Sequence, residues 1–250
     1  MGIHEAAAEG FSRGAQAYER GRPGYPEAAV RWLVERLPIR SGSTVLDLGA
    51  GTGKFTRLLV PTGARIIAVE PVAAMREALI ASVPTVEAVD GTAQSIPLPA
   101  ASVDAIVAAQ AFHWFATPDA VEEMHRVLID GGGLALIWNR RDLSDPLQAS
   151  LDAVVRPHRG QAPAHEWDRW REVLFGNPRF AQEGERRFGL KQVVDQAGAV
   201  DRVTSTSFIA RLDDAQRAEI ENQVRAIVPA QGTVVLRYVT DVFLFRRAPT

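Results

Sequence analysis

The sequence predicts an α/β domain built on a mostly parallel sheet with helices on both faces, and three observations carry that expectation. Short β-branched runs, TVLDL, IIAV, TVEAV, VDAIVAA and LALIW, succeed one another across residues 44–138. The segments between them space their apolar residues near 3.6, so strand and helix alternate as in βαβ units. The first run passes directly into GAGTG, where Gly49, Gly51 and Gly53 stand at alternate positions before a helical period resumes near Lys54. Strand, glycine turn and helix in that order make the ligand-facing corner of such a sheet.

The elements justify themselves in order. Ahead of the first strand, Val30, Leu33, Val34 and Leu37 form the inward face of a helix that Pro38 closes. The helix after the glycine turn closes at Pro61 and Gly63. Thr117 caps a later helix with Pro118 at its first position; Val121, Met124, His125 and Leu128 share one face, and the glycines 131–133 are expected to end it. Residues 142–187 hold four prolines, two tryptophans and many arginines without a clean strand, and read as an inserted, mostly helical cap. Asp213 and Gln216 form a capping box for a helix reaching about Val228. The final run, TVVLRYVTDVFLFRR, alternates as a strand that returns to the sheet. The chain thus reads as a single domain over 1–250. Within it, 1–40 form N-terminal helices and a lid, 41–141 a ligand-binding core, 142–187 the cap, and 188–250 the part completing the sheet.

Composition narrows the function classes. The 250 residues are 46% hydrophobic and 23% charged, which excludes a disordered or fibrous chain. With 28 basic and 30 acidic side chains the net charge is −2, so no broad cationic field favours nucleic acid, and none is expected as a partner. The absence of cysteine excludes disulfides, thiolate catalysis and sulfur-ligated zinc. No apolar run approaches the roughly 18 residues of a membrane span, and the first residues, MGIHEAAAEGFSRG, show no secretory pattern. The expectation is a soluble, cytoplasmic protein without a membrane partner, its oligomeric state left open.

The glycine turn admits three nucleotide readings. A dinucleotide fingerprint needs Gly or Ala three residues after its second glycine, and that position is Lys54. A phosphate-cradling loop built on Gly53 and Lys54 would put its first glycine at Leu48 and its magnesium-binding hydroxyl at Phe55. A nucleoside without phosphates remains. Glu70 ends the second strand, 17 residues after Gly53, where a carboxylate accepts hydrogen bonds from both ribose hydroxyls. Asp90 ends the third strand, ahead of Gly91, Thr92 and Ala93, within reach of an adenine amino group.

These segments resemble a known family. VLDLGAGTGKF, IIAVEP, DGTAQSIPLPAASVDAIVAAQAFHWF and LIDGGGLALIWNR are similar to the successive motifs of class I S-adenosylmethionine-dependent methyltransferases. The match is nearest the methyltransferase-11 type domain, and within it members similar to trans-aconitate methyltransferases. YERGRPGYP (18–26) and STSFIARL extend the resemblance to nearly the whole chain, with 142–187 its least specific part. The resemblance implies a Rossmann-like class I methyltransferase sandwich, a seven-stranded sheet with an antiparallel last strand. It implies S-adenosyl-L-methionine as cofactor and S-adenosyl-L-homocysteine as product. By the same resemblance Gly49, Ala50, Gly51, Thr52 and Gly53 line the methionine and ribose, with Glu70, Pro71 and Met75 beside the ribose. Asp90, Gly91, Thr92 and Ala93 then take the adenine, Gln110 and Ala111 the rim, and Tyr18 a lid over the donor.

Methyl transfer needs an acceptor atom held about 3 to 3.5 Å from the methyl carbon and in line with the departing sulfur. His113, after the fourth strand, is the candidate catalytic residue and is read two ways: as a base for a hydroxyl, or as a ring stacked over adenine. Trp114 is a pocket wall or core. Arg22, Tyr25, Asn139 and Arg140 are the further candidates for contact with the acceptor; Arg13, Arg20 and Arg141 share their setting, and an inward arginine could clamp a carboxylate. His125 lies on an apolar helical face and reads as a core histidine. His158 and His165 lack the spacing and carboxylates of a metal site, and no metal is expected. The expected activity is methylation of a small molecule on a carboxylate or hydroxyl oxygen. A donor-binding sensor or assembly protein without catalysis, and a methyltransferase acting on a macromolecule, are the alternatives.

Overall fold

The computed structural model describes residues 21–160 and 169–249. Five strands follow the predicted runs: β1 (Thr44–Leu48), β2 (Arg65–Val69), β3 (Glu87–Val89), β4 (Val103–Ala109) and β5 (Leu128–Arg141). Two long strands, β6 (Phe180–Val194) and β7 (Val234–Arg247), complete a seven-stranded sheet in the order β3-β2-β1-β4-β5-β7-β6. The pairs β1–β2, β2–β3, β1–β4 and β4–β5 are parallel, and β7 runs antiparallel between β5 and β6. The order therefore reverses between β1 and β4, and the loops leaving their carboxyl ends diverge there into a crevice.

Helices cover both faces: α1 (Glu27–Arg36), α2 (Thr56–Leu59), α3 (Ala73–Ser82), α4 (Pro118–Val127), α5 (Pro146–Val155), α6 (Arg169–Leu174), α7 (Gln196–Thr204), α8 (Ser207–Ala210) and α9 (Asp214–Ile227). Alternating strand residues feed two cores. Leu46, Ile106, Leu136 and Trp138 pack with Val121, Met124 and Trp170 on one face. Val45, Val107, Ala135 and Ile137 pack with Trp32, Leu33 and Leu59 on the other. A third core, with Leu151, Val200, Val203, Ile220, Val224 and Tyr238, joins α5, α7 and α9 to the far end of β7.

The caps read from sequence close as oxygen acceptors for orphan helix amides. Thr117 Oγ1 accepts from Ala120 N, and Asp213 Oδ1 accepts from Gln216 N at 2.8 Å. Val121, Met124, His125 and Leu128 are all buried.

Two expectations are corrected. The glycines 131–133 do not end α4, which stops at Val127; they lie inside β5, where the register with β4 jumps from Val103↔Leu128 to Ala105↔Gly133. Gly131 takes φ +70° in that bulge, and a Cβ on Gly133 would lie 2.3 Å from Leu37 Cδ2, so Gly133 admits Leu37, just past the end of α1, against the sheet. The cap over 142–187 is helical in α5 and α6, but its last residues, from Phe180, are the first half of β6. The first half of that strand, to Arg187, carries no apolar alternation because it lies at the sheet edge, with Phe180 its one buried residue; in the second half Phe188, Leu190 and Val194 alternate inward, and pairing with β7 specifies both. Among the described residues, no helix is long and apolar enough to cross a membrane.

Candidate functional site

The crevice at the β1/β4 switch is a cleft open to solvent, bordered by the turns after β1, β2 and β4 and by the segment after β3. Its floor is the turn after β1. Gly49, Gly51 and Gly53 have φ of +72°, +57° and +82°, a left-handed series that glycine adopts readily; Gly49 and Gly51 line the cleft, whereas Gly53 does not, a Cβ there lying 3.1 Å from Leu79 Cγ of α3. The turn is tied to β2 by Gly49 N–H and Ala50 N–H, both donating to Val69 O, at 2.8 and 3.2 Å. A Cβ on Gly49 would sit 2.7 Å from Ala111 Cβ, so this glycine lets the turns after β1 and β4 touch. A Cβ on Gly51 would meet nothing within 4 Å: that backbone faces the open cleft.

Two buried carboxylates flank the turn. Glu70 Oε2 accepts from Gly51 N and Oε1 from Val72 N, each at 2.9 Å. Burial pushes its carboxyl up, opposed by those two amides and by Arg76. Asp47, 1% exposed, accepts from Thr56 Oγ1 at 2.6 Å. Burial pushes it up to about 7, against the Thr56 hydrogen bond and with a further contribution from Glu70. Asp47 was not among the sequence candidates, although a lone acid between Leu46 and Leu48 in a buried strand was a readable signal.

The walls take up most of the remaining candidates. Ala50, Thr52, Pro71, Met75, Gly91, Thr92, Ala93, Gln110, Ala111 and Trp114 all line the cleft, as does Tyr25, whose ring meets Phe55 edge-on at 4.9 Å. Asp90 does not line it: its side chain is 72% exposed and pairs with Arg76, which also donates to Glu70 O at 2.8 Å. The backbone that follows Asp90 supplies this wall, held from below by Arg126, which donates to Leu98 O and Ile96 O at 2.8 and 3.0 Å. Gln110 is a non-glycine residue at φ +58°; its N–H donates to Ile137 O and its Nε2 to Asn139 O. Phe55, Gln94 and Phe115 also line the cleft; all three lie within the motifs read from sequence, and Phe115 beside Trp114 is a pocket wall as its position there suggests.

The acceptor-side candidates are placed unevenly. Asn139 has structural partners on both amide atoms: Nδ2 donates to Gly24 O at 2.8 Å and Oδ1 accepts from Thr240 Oγ1 at 2.6 Å. It ties down the segment that carries Tyr25. Arg22 donates to Ser205 O at 3.1 Å, and Gln192 Nε2 to Gly21 O at 3.0 Å, anchoring the same segment to the end of α7 and to β6. Arg140 pairs with buried Asp241, which also holds Arg187, and lies outside the cleft wall. His113 is likewise not a lining residue; its Nδ1 accepts from Trp138 Nε1 at 3.0 Å and its ring lies 5.1 Å from that of Trp114. Arg141 pairs with Asp152 at 2.9 Å. Tyr18, Arg13, Arg20 and His165 lie outside the described residues. Among the described residues no His, Asp and Glu group is arranged to hold a metal.

A Rossmann-like sheet with a glycine turn and strand-end acids at its switch point defines a nucleoside-binding α/β enzyme fold. Residues 46–136 match the methyltransferase domain family. An uncharacterised methyltransferase-like protein of Schizosaccharomyces pombe is 33% identical over 246 residues, 96% of each chain. An uncharacterised methyltransferase of Mycobacterium tuberculosis is 48% identical over 132 residues, 53% of each. The solved structure of a protein assigned as a type II methyltransferase from Anaeromyxobacter dehalogenans superposes with a TM-score of 0.72 at 25% identity, covering 92% of this chain and 99% of that one. The chain belongs to the methyltransferase domain family and is an S-adenosylmethionine-dependent methyltransferase.

Proposed function

We propose that the enzyme methylates a small molecule on oxygen, a carboxylate or a hydroxyl, with S-adenosyl-L-methionine as donor, S-adenosyl-L-homocysteine as product and no metal. The observation that carries this reading is the anchored wall of the cleft: Asn139 and Gln192 hold the 21–25 backbone, and Tyr25 walls the same cleft as Gly51 and Glu70. An aromatic wall fixed beside the glycine turn suits a compact acceptor, in keeping with a net charge of −2 that gives a nucleic acid no cationic field.

The residues present fit the donor. Gly51 offers bare backbone, Asp47 and Glu70 place two acids beside a ligand with a cationic centre, and the turn lacks the register of a phosphate cradle. When bound, the donor supplies a methyl group activated on a sulfonium. The chain's own residues bind and orient. In this reading Glu70 accepts the ribose hydroxyls, Gly91, Thr92 and Ala93 border the base, Met75 and Phe115 exclude water, and the aromatic rim fixes the acceptor's approach.

Titration calorimetry with donor and with product, followed by a methyl-transfer assay over a panel of small carboxylates and hydroxylated metabolites, tests this reading. Glu70→Ala is expected to weaken donor binding by about 1–3 kcal/mol. Unchanged affinity removes Glu70 from the site. Donor binding with turnover only on nucleic acid or protein overturns the small-molecule reading, and binding without any turnover makes the protein a sensor.

A further inference from the structure

The side-chain amide of Gln110 is held in one orientation. Gln110 follows β4 in the left-handed region at φ +58°, where a non-glycine residue is uncommon, and its N–H donates to Ile137 O at 2.8 Å. Its side chain reaches across to β5, where Nε2 donates to Asn139 O at 3.2 Å. A backbone carbonyl only accepts, so the amide stands with its nitrogen towards β5; the flipped amide would set two oxygens against each other. Asn139 is itself fixed by Gly24 O and Thr240 Oγ1. Among the described residues nothing donates to Gln110 Oε1, and that oxygen is accessible, not sealed in the core. Gln110 lines the cleft between Ala109 and Ala111, so the apolar wall at the end of β4 carries a fixed hydrogen-bond acceptor.

Sheet order gives the end of the cleft to which that oxygen belongs. Glu70 and the Gly91–Ala93 backbone follow β2 and β3, on one side of β1; Gln110 lies on the other side and turns towards β5. The ribose and base belong to the first side, and Asp47 and Glu70 are acids available to the cationic groups of the donor. The neutral Oε1 is left for the acceptor. We propose that Gln110 determines specificity, its Oε1 accepting a hydrogen bond from the hydroxyl of the methyl acceptor, so that the substrate is an alcohol or a phenol and not a carboxylate. This inference deepens the proposed function and rests on it for the acceptor's place in this cleft. It moves Gln110 from the donor's rim, where the family resemblance puts it, to the acceptor. An ionised carboxylate has no proton to give Oε1 and would bring oxygen against oxygen. A hydroxyl gives its hydrogen to Oε1 and keeps a lone pair for the methyl carbon. As the C–O bond forms the S–C bond breaks and the sulfur keeps the bonding pair. The hydroxyl proton passes to water in the open cleft, because a neutral amide does not retain it.

The test begins with crystals of the full-length protein holding S-adenosyl-L-homocysteine. The expected result is Nε2 on Asn139 O and Oε1 facing the space beyond the sulfur, with nothing but water on it. An Oε1 bonded to the amino group of the bound ligand, or turned out of the cleft, overturns the proposal. Methyl transfer is then assayed with phenol and benzyl alcohol against benzoate and phenylacetate. Turnover on the hydroxyl compounds is expected, and turnover confined to the carboxylates overturns the proposal. Gln110→Met should lower kcat/KM on the hydroxyl compound about 10-fold while S-adenosyl-L-homocysteine affinity changes by less than about twofold. An unchanged kcat/KM in the folded variant also overturns it. If that variant does not fold, or none of the four compounds reacts, the position of Oε1 in the crystal decides alone. Failure to bind S-adenosyl-L-homocysteine refutes the donor site and with it the proposed function, whereas binding with a misplaced Oε1 refutes only the role given to Gln110.

Discussion

Replacing Asp47 by Asn removes a buried, strongly shifted carboxyl that lines the cleft. Asp47 is 1% exposed, and burial, offset in part by the Thr56 hydrogen bond and reinforced by Glu70, lifts its carboxyl from 3.8 to about 7. A gap of about three pH units at 1.36 kcal/mol each corresponds to about 4 kcal/mol. The sign follows from proton counts. Between pH 3.8 and 7 the folded protein keeps a proton that the unfolded chain has released, so raising the pH through this window favours unfolding. The stability that the neutral acid confers is complete below the lower value and lost above the upper one. Asn retains a carbonyl for the Thr56 hydroxyl and does not titrate. Urea unfolding of both proteins from pH 4.5 to pH 8 should therefore show the variant gaining about 3 kcal/mol on wild type across the range. Donor binding should respond in the opposite sense: a cationic ligand favours the ionised acid, so wild-type affinity rises as pH approaches 7, while the variant binds more weakly and without that rise. Parallel stability curves for the two proteins would refute the assignment of a proton to Asp47.

Gly49→Ala puts a methyl group at φ +72° and 2.7 Å from Ala111 Cβ, and is expected to cost about 2 kcal/mol, seen as a lower Tm together with impaired donor binding. Gly51→Ala, with no protein atom within 4 Å, should cost less stability than Gly49→Ala, but its methyl group enters the cleft and should weaken donor binding. Asp152→Asn leaves the Arg141 guanidinium, which burial pushes down to about 10 with Arg202 adding to the effect, without its counter-ion. Its stability should fall by about 3 kcal/mol in denaturant unfolding, and a loss within 0.5 kcal/mol would show that the pair is solvated.

Much of this protein was legible in the residue order alone. The five parallel strands, the Thr117 and Asp213 caps and the Gly49, Gly51 and Gly53 turn all follow from local rules: β-branched runs, side-chain acceptors for orphan amides, and backbone angles that only glycine takes freely. The same local reading placed Glu70 at the end of its strand and most of the lining residues in the right segments. Tertiary structure decided what depends on partners distant in sequence. β6 exists because β7 pairs with it across 14 residue pairs, although the first half of its own pattern does not alternate. Gly133 is strand because it pairs with Ala105 and Arg246, and Leu37 packs where its Cβ would stand. Asn139 and Arg140 sit where an acceptor contact was expected, yet Gly24, Thr240 and Asp241 occupy their hydrogen-bonding groups. Asp47 acquires a displaced pKa only when folding buries it, and the Trp138 indole meets His113 Nδ1 only in the assembled sheet. Sequence specifies which groups are available and how the local backbone bends; burial and the directional matching of donors to acceptors are properties of the assembled fold.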